Sequence, residues 1–297
     1  MFAEHPAVDL NMNAVLMGGD AYSVKGDWWE DRRLFDEGLE MTGKQRPNVL
    51  IVPTARTVSQ EKSDTVVNNL SDFYEHRGAT VSALHPYLYT KTDQTDPIWG
   101  NKIVDTTKVP GTSELEDKTE AADLIFVLGG DSNRMLNQVW RPLGIDTLLM
   151  TAMHRGTVVS GTSAGTVAWF SGGHSAGTSL NVNRKPEQSK QFHYIQALGA
   201  ITKTVVCPHY EASPNNRSRE QSFKSMLYRR RVEGELGLGI TARAALQISA
   251  GGIARMIRGS GKADAFIEAM YRRSGKRVAH KITAADGSFP FSDFYSK

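Results

Sequence analysis

The sequence predicts an α/β protein with a mostly parallel central sheet flanked by helices and an antiparallel β extension at its C-terminal end. Three observations predict it. Short runs rich in Val, Ile and Leu alternate with helix-period segments through the first two thirds of the chain, the pattern of βαβ units. Several of those runs end in glycine-rich turns, where open parallel sheets place their ligands. After Gly237 the texture changes to short strand-like pieces joined by Gly-rich turns, which reads as antiparallel hairpins.

Taken in order, strands are expected at 14–17, 49–53, 80–85, 124–128, 157–160 and 204–207. Helices are expected at 30–42, 59–77, 133–155, 164–170 and 218–231, the first two closed by Gly43 and Gly78 as C-terminal glycines. The polar span 91–118, with Pro97, Gly100, Pro110 and Gly111, reads as one long loop. No internal repeat or low-complexity tract interrupts the chain, so 1–297 is expected to be one domain, with a parallel core over 1–235 and the β extension over 236–297.

Composition bounds the function. With 297 residues, 40% hydrophobic, 23% charged and a net charge of +3, the chain has an ordinary globular profile. No run of about 18 uninterrupted apolar residues exists to form a membrane helix. The N-terminus, MFAEHPAVDLNMN, lacks a basic region followed by an apolar core, so the cytoplasm is the expected location. The single cysteine, Cys207, cannot form an internal disulfide and is expected in the core. Basic residues are scattered apart from Tyr228-Arg229-Arg230-Arg231, which argues against nucleic-acid binding. Histidines and acids lack metal-ligand spacing and one cysteine gives no thiolate site, so neither metal nor other cofactor is expected.

The chemistry concentrates in TVVSGTSAGTVAWF, which begins at Thr157. A glycine on either side of one serine fits the G-x-S-x-G nucleophile elbow, here between an expected strand and an expected helix. Ser163 Oγ would then project at the tip of the turn, beside amides that can stabilise an oxyanion. A serine needs a base, and His209 in Val205-Val206-Cys207-Pro208-His209-Tyr210 stands at the carboxyl end of a later strand, on the same sheet edge. His174 is the remote rival. Arg219, with Arg217 and Arg56 behind it, suits a substrate carboxylate because a guanidinium pairs with one bidentately.

At these residues the chain resembles the peptidase E and cyanophycinase group of serine peptidases, whose fold is like that of the class I glutamine amidotransferases. The resemblance rests on Ala122-Asp123-Leu124-Ile125-Phe126-Val127-Leu128-Gly129-Gly130-Asp131, on 140–149, on 156–170, on Cys207-Pro208-His209-Tyr210 with Arg219-Glu220-Gln221, and on Gly237-Leu238-Gly239-Ile240. It implies hydrolysis beside an aspartyl residue, in Asp-X dipeptides or in the beta-linked aspartyl-arginine of cyanophycin. It also implies Ser163 as nucleophile, His209 as base and the Gly130 and Ala164 amides as oxyanion hole. Gly129 and Asp131 would form a substrate-facing wall. The partners expected are a small peptide substrate and, left open, a second copy in a homodimer, with no nucleic acid and no membrane.

The triad acid departs from that pattern. Ala176 stands where peptidase E relatives carry an aspartate, and Thr241-Ala242 replaces the Asp-Glu of the cyanophycinase branch. Glu187 is the only carboxylate between Ser163 and His209, in a polar stretch with the look of a solvated turn. Glu187 is therefore the first candidate for a relocated acid and Asp131 the second, with a neutral partner for His209 favoured over both. A catalytically weakened or silent binding protein on the same fold is the alternative. An amidotransferase is disfavoured by serine in place of cysteine at the elbow. An α/β-hydrolase is disfavoured by the lack of an HGGG-type loop and of an acid on a strand between Ser163 and a C-terminal histidine.

Overall fold

The structure, a computed structural model, describes residues 11–19, 32–55, 60–84, 90–93, 101–104, 112–175, 192–211, 218–230, 236–259, 265–273 and 276–295. In chain order the elements begin with β1 (Ala14–Met17), α1 (Arg32–Met41), β2 (Asn48–Val52), α2 (Gln60–Glu75), β3 (Thr80–Ala83), β4 (Thr90–Asp93) and β5 (Asn101–Val104). Next come α3 (Thr112–Ala121), β6 (Leu124–Val127), a π-helical segment (Arg134–Trp140), α4 (Arg141–Leu143), α5 (Ile145–His154), β7 (Val158–Thr162) and α6 (Ala164–Val167). The chain continues through β8 (Phe170–Ser175), β9 (His193–Gln196), β10 (Ile201–Pro208), α7 (Arg219–Arg230), β11 (Leu236–Ile240) and β12 (Ala244–Ser249). It closes with β13 (Ile253–Arg258), β14 (Ile267–Arg273), β15 (Lys276–Ile282) and β16 (Ser288–Pro290).

Two mixed sheets organise these elements. One has the order β16-β13-β12-β1-β7-β6-β2-β3, the other β15-β14-β11-β10-β8-β9. The centres are parallel: β1, β7, β6, β2 and β3 in the first sheet, and β8, β10 and β11 in the second. Antiparallel strands from the C-terminal end extend both, β12 beside β1 and β14 beside β11. The extension thus opens with a parallel strand, β11, before its antiparallel hairpins begin.

Alternation within the central strands explains the layering. In β1, Ala14 and Leu16 join a core that also takes Ile125 and Val127 of β6, Val206 of β10, and side chains of α5 and α6. Val15 and Met17 face the other way, into a core with Leu34 and Phe35 of α1 and Val66, Leu70 and Tyr74 of α2. Strands buried on both faces carry near-continuous apolar runs, which is why these read so plainly as parallel. A third cluster, Val205, Cys207, Tyr210 and Phe223, packs α7 onto β10. Cys207 is fully buried, as expected of a core residue.

Three expectations need correction. The span 91–118 is not one loop: β4 and β5 pair antiparallel, Thr90 opposite Val104, and α3 begins at Thr112. Its helix was hidden by polarity, since TSELEDKTEA buries Leu115 and Thr119 alone among its residues of described burial and carries an exposed ion pair, Lys118 to Glu114 at 2.7 Å. The helix expected over 133–155 is three pieces, because its first part winds as a π-helix and Gly144 breaks the run with a left-handed φ of 69°. The helix expected over 164–170 ends at Val167, and Phe170 already starts β8. Gly43 and Gly78 do close α1 and α2, at φ 65° and 84°.

Candidate active site

The elbow follows from close packing. A Cβ on Gly165 would lie 2.1 Å from Val127 O, and one on Gly161 would lie 2.5 Å from the Gly165 carbonyl. Both flanking positions therefore accept only glycine if β7 is to turn directly into α6 against β6. Between them Ser163 holds φ 54° and ψ −111°, a strained conformation of the kind found at nucleophile elbows. Two contacts over-determine it. Ser163 N donates to Met17 O at 3.1 Å, and the Thr166 hydroxyl lies 2.6 Å from that same carbonyl and 2.7 Å from Gly161 O.

His209 arrives from the second sheet. It leaves β10 just beyond Pro208, also with a left-handed φ, 49°. Its backbone N–H donates to Gly18 O at 2.8 Å, so the end of β1 anchors both functional turns. Its ring lies against Gly19, where a Cβ would come within 2.0 to 2.4 Å of the imidazole atoms. His209 Nε2 is 3.0 Å from Ser163 Oγ, within hydrogen-bond reach. Both side chains are half-buried. Gly18 and Gly19 form the turn that follows β1. A Cβ on Gly18 would strike Thr241 O at 2.1 Å, so this glycine pair is what lets three turns converge.

The other expected site residues fall into distinct surroundings. Ala164 is buried at the first position of α6, and Gly129 and Gly130 follow β6, the strand beside β7, with Gly130 exposed at φ 154°. Asp131 is buried and works as a cap. Its Oδ1 accepts the amides of Asn133 at 2.9 Å and Arg134 at 3.1 Å, which holds the start of the π-helical segment. Glu187, Ala176, Arg56 and Arg217 lie outside the described residues. Thr241 and Ala242 are both buried, and the Thr241 hydroxyl exchanges hydrogen bonds with the backbone of Phe266 at 2.8 Å.

Arg219 opens α7 and turns inward. Its Nη2 donates to His174 O at 3.0 Å, its guanidinium stands over the Phe192 ring at 5.0 Å, and its buried Nε has no hydrogen-bond partner among the described residues. Beside it, His174 is a core histidine rather than a second base. Its Nε2 is 3.0 Å from Ser222 Oγ, its Nδ1 is 3.4 Å from Cys207 Sγ, and its ring stacks on Phe192. Burial, reinforced by the Arg219 and His193 charges, pushes the imidazole down to about 3, so it is neutral at ordinary pH. Burial pushes the Cys207 thiol up to about 12 against the opposing pull of Arg219. Neither group is therefore poised for nucleophilic chemistry.

A strained serine at a strand-to-helix turn, with an imidazole at the carboxyl edge of a mostly parallel sheet, defines the class as an elbow protein of the class I glutamine amidotransferase-like fold. The model of peptidase family S51 matches residues 99–256, and the chain belongs to that family. It is 26% identical over 203 residues to the uncharacterized peptidase YgaJ of Bacillus subtilis (strain 168), covering 68% of this chain and 70% of that one. Two solved structures share the fold. A peptidase from an acI-B1 actinobacterium matches with a TM-score of 0.58 at 17% identity, over 95% of this chain and 98% of that one. A provisionally named peptidase E protein from Listeria monocytogenes EGD-e matches with a TM-score of 0.53 at 18% identity, over 83% and 98%.

Proposed function

We propose that this S51 chain hydrolyses a small peptide or isopeptide bearing an aspartyl residue, with Ser163 as nucleophile and His209 as general base. The observation that carries the reading is the 3.0 Å separation of His209 Nε2 from Ser163 Oγ at the tip of a strained elbow. Ser163 Oγ attacks the scissile carbonyl carbon as its proton passes to Nε2. The oxyanion that forms is stabilised by the Gly130 and Ala164 amides, which flank the elbow from β6 and from the start of α6. Collapse breaks the C–N bond, and the leaving amine takes the proton from Nε2. Water, deprotonated by the same nitrogen, then attacks the acyl carbon, and the bond to Ser163 Oγ breaks as Oγ takes the proton back from Nε2.

The cation proposed to receive the aspartyl carboxylate is Arg219, whose buried guanidinium lies beside His174 O at the end of β8 and over the Phe192 ring. One observation favours a second reading, a silent binding protein on the same fold. Positions 241 and 242 carry no carboxylate, and loss of the orienting acid costs on the order of 10⁴ in rate. Wild type and Ser163→Ala should be compared on a panel of Asp-X dipeptides and beta-aspartyl peptides. Slow turnover by wild type, absent in Ser163→Ala, is expected. Binding of these peptides by both proteins, with turnover by neither, would establish the silent reading instead.

A further inference from the structure

The turn after β10 carries a charged group with no part in the chemistry described above. Glu211 stands two residues beyond His209, and both of its carboxylate oxygens accept the Ala242 N–H, at 2.9 and 3.1 Å. A carboxylate on a backbone amide makes a charge-assisted hydrogen bond, stronger than a neutral one. Ala242 is buried in the tight connection between β11 and β12, where the next residue, Arg243, takes a left-handed φ of 60°.

That connection supports the imidazole. Arg243 N donates to Gly19 O at 3.1 Å, and Gly18 N donates to Ala244 O at 2.9 Å. Gly18 O receives the His209 N–H, and Gly19 is the surface against which the His209 ring lies. A closed circuit therefore runs from His209 through Glu211, Ala242, Arg243 and Gly19 back to His209. Thr241 is pinned from the other side by Phe266, and the Glu211 to Ala242 contact is a side-chain tie between the circuit and the histidine turn, beside the backbone bonds from His209 N to Gly18 O and from Tyr210 N to Ile240 O. The segment that resemblance expects to carry an acid is instead met by a carboxylate arriving from the His209 side.

Resting on the hydrolase reading above, we propose that Glu211 is a positioning residue for the Ser163 and His209 pair. Its carboxylate ties the histidine turn to the Ala242 amide and so holds Gly19 as the wall that keeps the imidazole on Ser163. An error of about 1 Å in such a contact is enough to slow a reaction about a hundredfold, so a tether of this kind acts on rate more than on binding.

The test follows acylation of Ser163 by a fluorophosphonate, with the His209 ring resonances recorded by NMR, in wild type, Glu211→Ala, Glu211→Gln and Glu211→Asp. Glu211→Ala should lower the maximal acylation rate about tenfold or more while the half-saturating reagent concentration stays within about twofold. Glu211→Gln keeps an acceptor for Ala242 N and should return the rate to within about threefold of wild type. The ring resonances should move in the alanine variant and hold in the glutamine variant. If Glu211→Ala does not fold, the shortened Glu211→Asp takes its place, with a rate loss of about threefold or more expected. Wild-type rates and unmoved ring resonances in the alanine variant, or in the aspartate variant standing in for it, would overturn the proposal. Should Ser163 of the wild type prove inert to the reagent, the hydrolase reading falls. The ring resonances still decide the tether in that case, moved with alanine and held with glutamine if Glu211 positions His209, unmoved with both if it does not.

Discussion

Ser163, His209 and Arg243 each hold a left-handed φ, and all three meet the end of β1, donating in turn to the carbonyls of Met17, Gly18 and Gly19. Such conformations cost about 1–3 kcal/mol apiece and persist only where neighbours over-determine them, as Met17, Gly18 and Gly19 do here. At this scale the sequence was legible where chemistry and local pattern coincide. Ser163 is announced by its two glycines, and His209 by its place after a Val-Val-Cys-Pro run. Glu211 was not legible, because its reach to Ala242 spans 31 positions and depends on β10 lying beside β11. His174 illustrates the reverse, a histidine that sequence could keep as a rival and only burial could remove. Its folded value of about 3 lies below the 6.5 of an unperturbed imidazole, so between these limits the unfolded chain binds a proton that the folded chain does not. Stability is therefore lost as pH falls below about 6.5, at up to about 1.4 kcal/mol per pH unit from this residue alone. Urea titrations of wild type and His174→Gln between pH 7 and about 4.5 should show the steeper acid loss in wild type. Equal slopes would show that His174 is not held neutral.

The proposed function turns on the β7 to α6 connection, whose glycines act through packing rather than flexibility. Gly165→Ala would put a methyl 2.1 Å from a backbone oxygen of β6, which neither partner can yield without moving a central strand. Overpacking of this kind costs about 1–3 kcal/mol, and the variant should show at least that loss in urea unfolding together with slower acylation of Ser163. A stable, fully reactive Gly165→Ala would contradict the packing account. The strand β8 was missed from sequence for a related reason. Phe-Ser-Gly-Gly-His-Ser has no side chain at its two central positions because Tyr194 and Val167 occupy the space where the side chains of Gly172 and Gly173 would stand. The π-helical segment was read as ordinary helix, since its apolar spacing resembles a 3.6 period. Its start is set by the Asp131 cap, and the indole of its last residue, Trp140, donates to Thr54 Oγ1 at 2.7 Å.

Across the whole molecule, β1 is the hinge of the design. It lies beside β7 in the first sheet, and the glycines that follow it receive the histidine turn of the second, so Ser163 and His209 come from different sheets and meet where β1 ends. The parallel centres were legible because strands buried on both faces leave continuous apolar runs. The span 91–118 was not, because its turn formers fall between elements that are themselves polar, a two-stranded ribbon and a helix that buries one narrow side. Membership of family S51 makes the chain a peptidase relative, and the pairing of Ser163 with His209 is the claim on which the rest depends. The most direct measurement is the site and rate of fluorophosphonate labelling, mapped by mass spectrometry, in folded wild type beside His209→Gln. One adduct, on Ser163, forming at least about a hundredfold faster in wild type than in His209→Gln, is the predicted result. Labelling at another serine with Ser163 untouched, or equal rates in the two proteins, would contradict it.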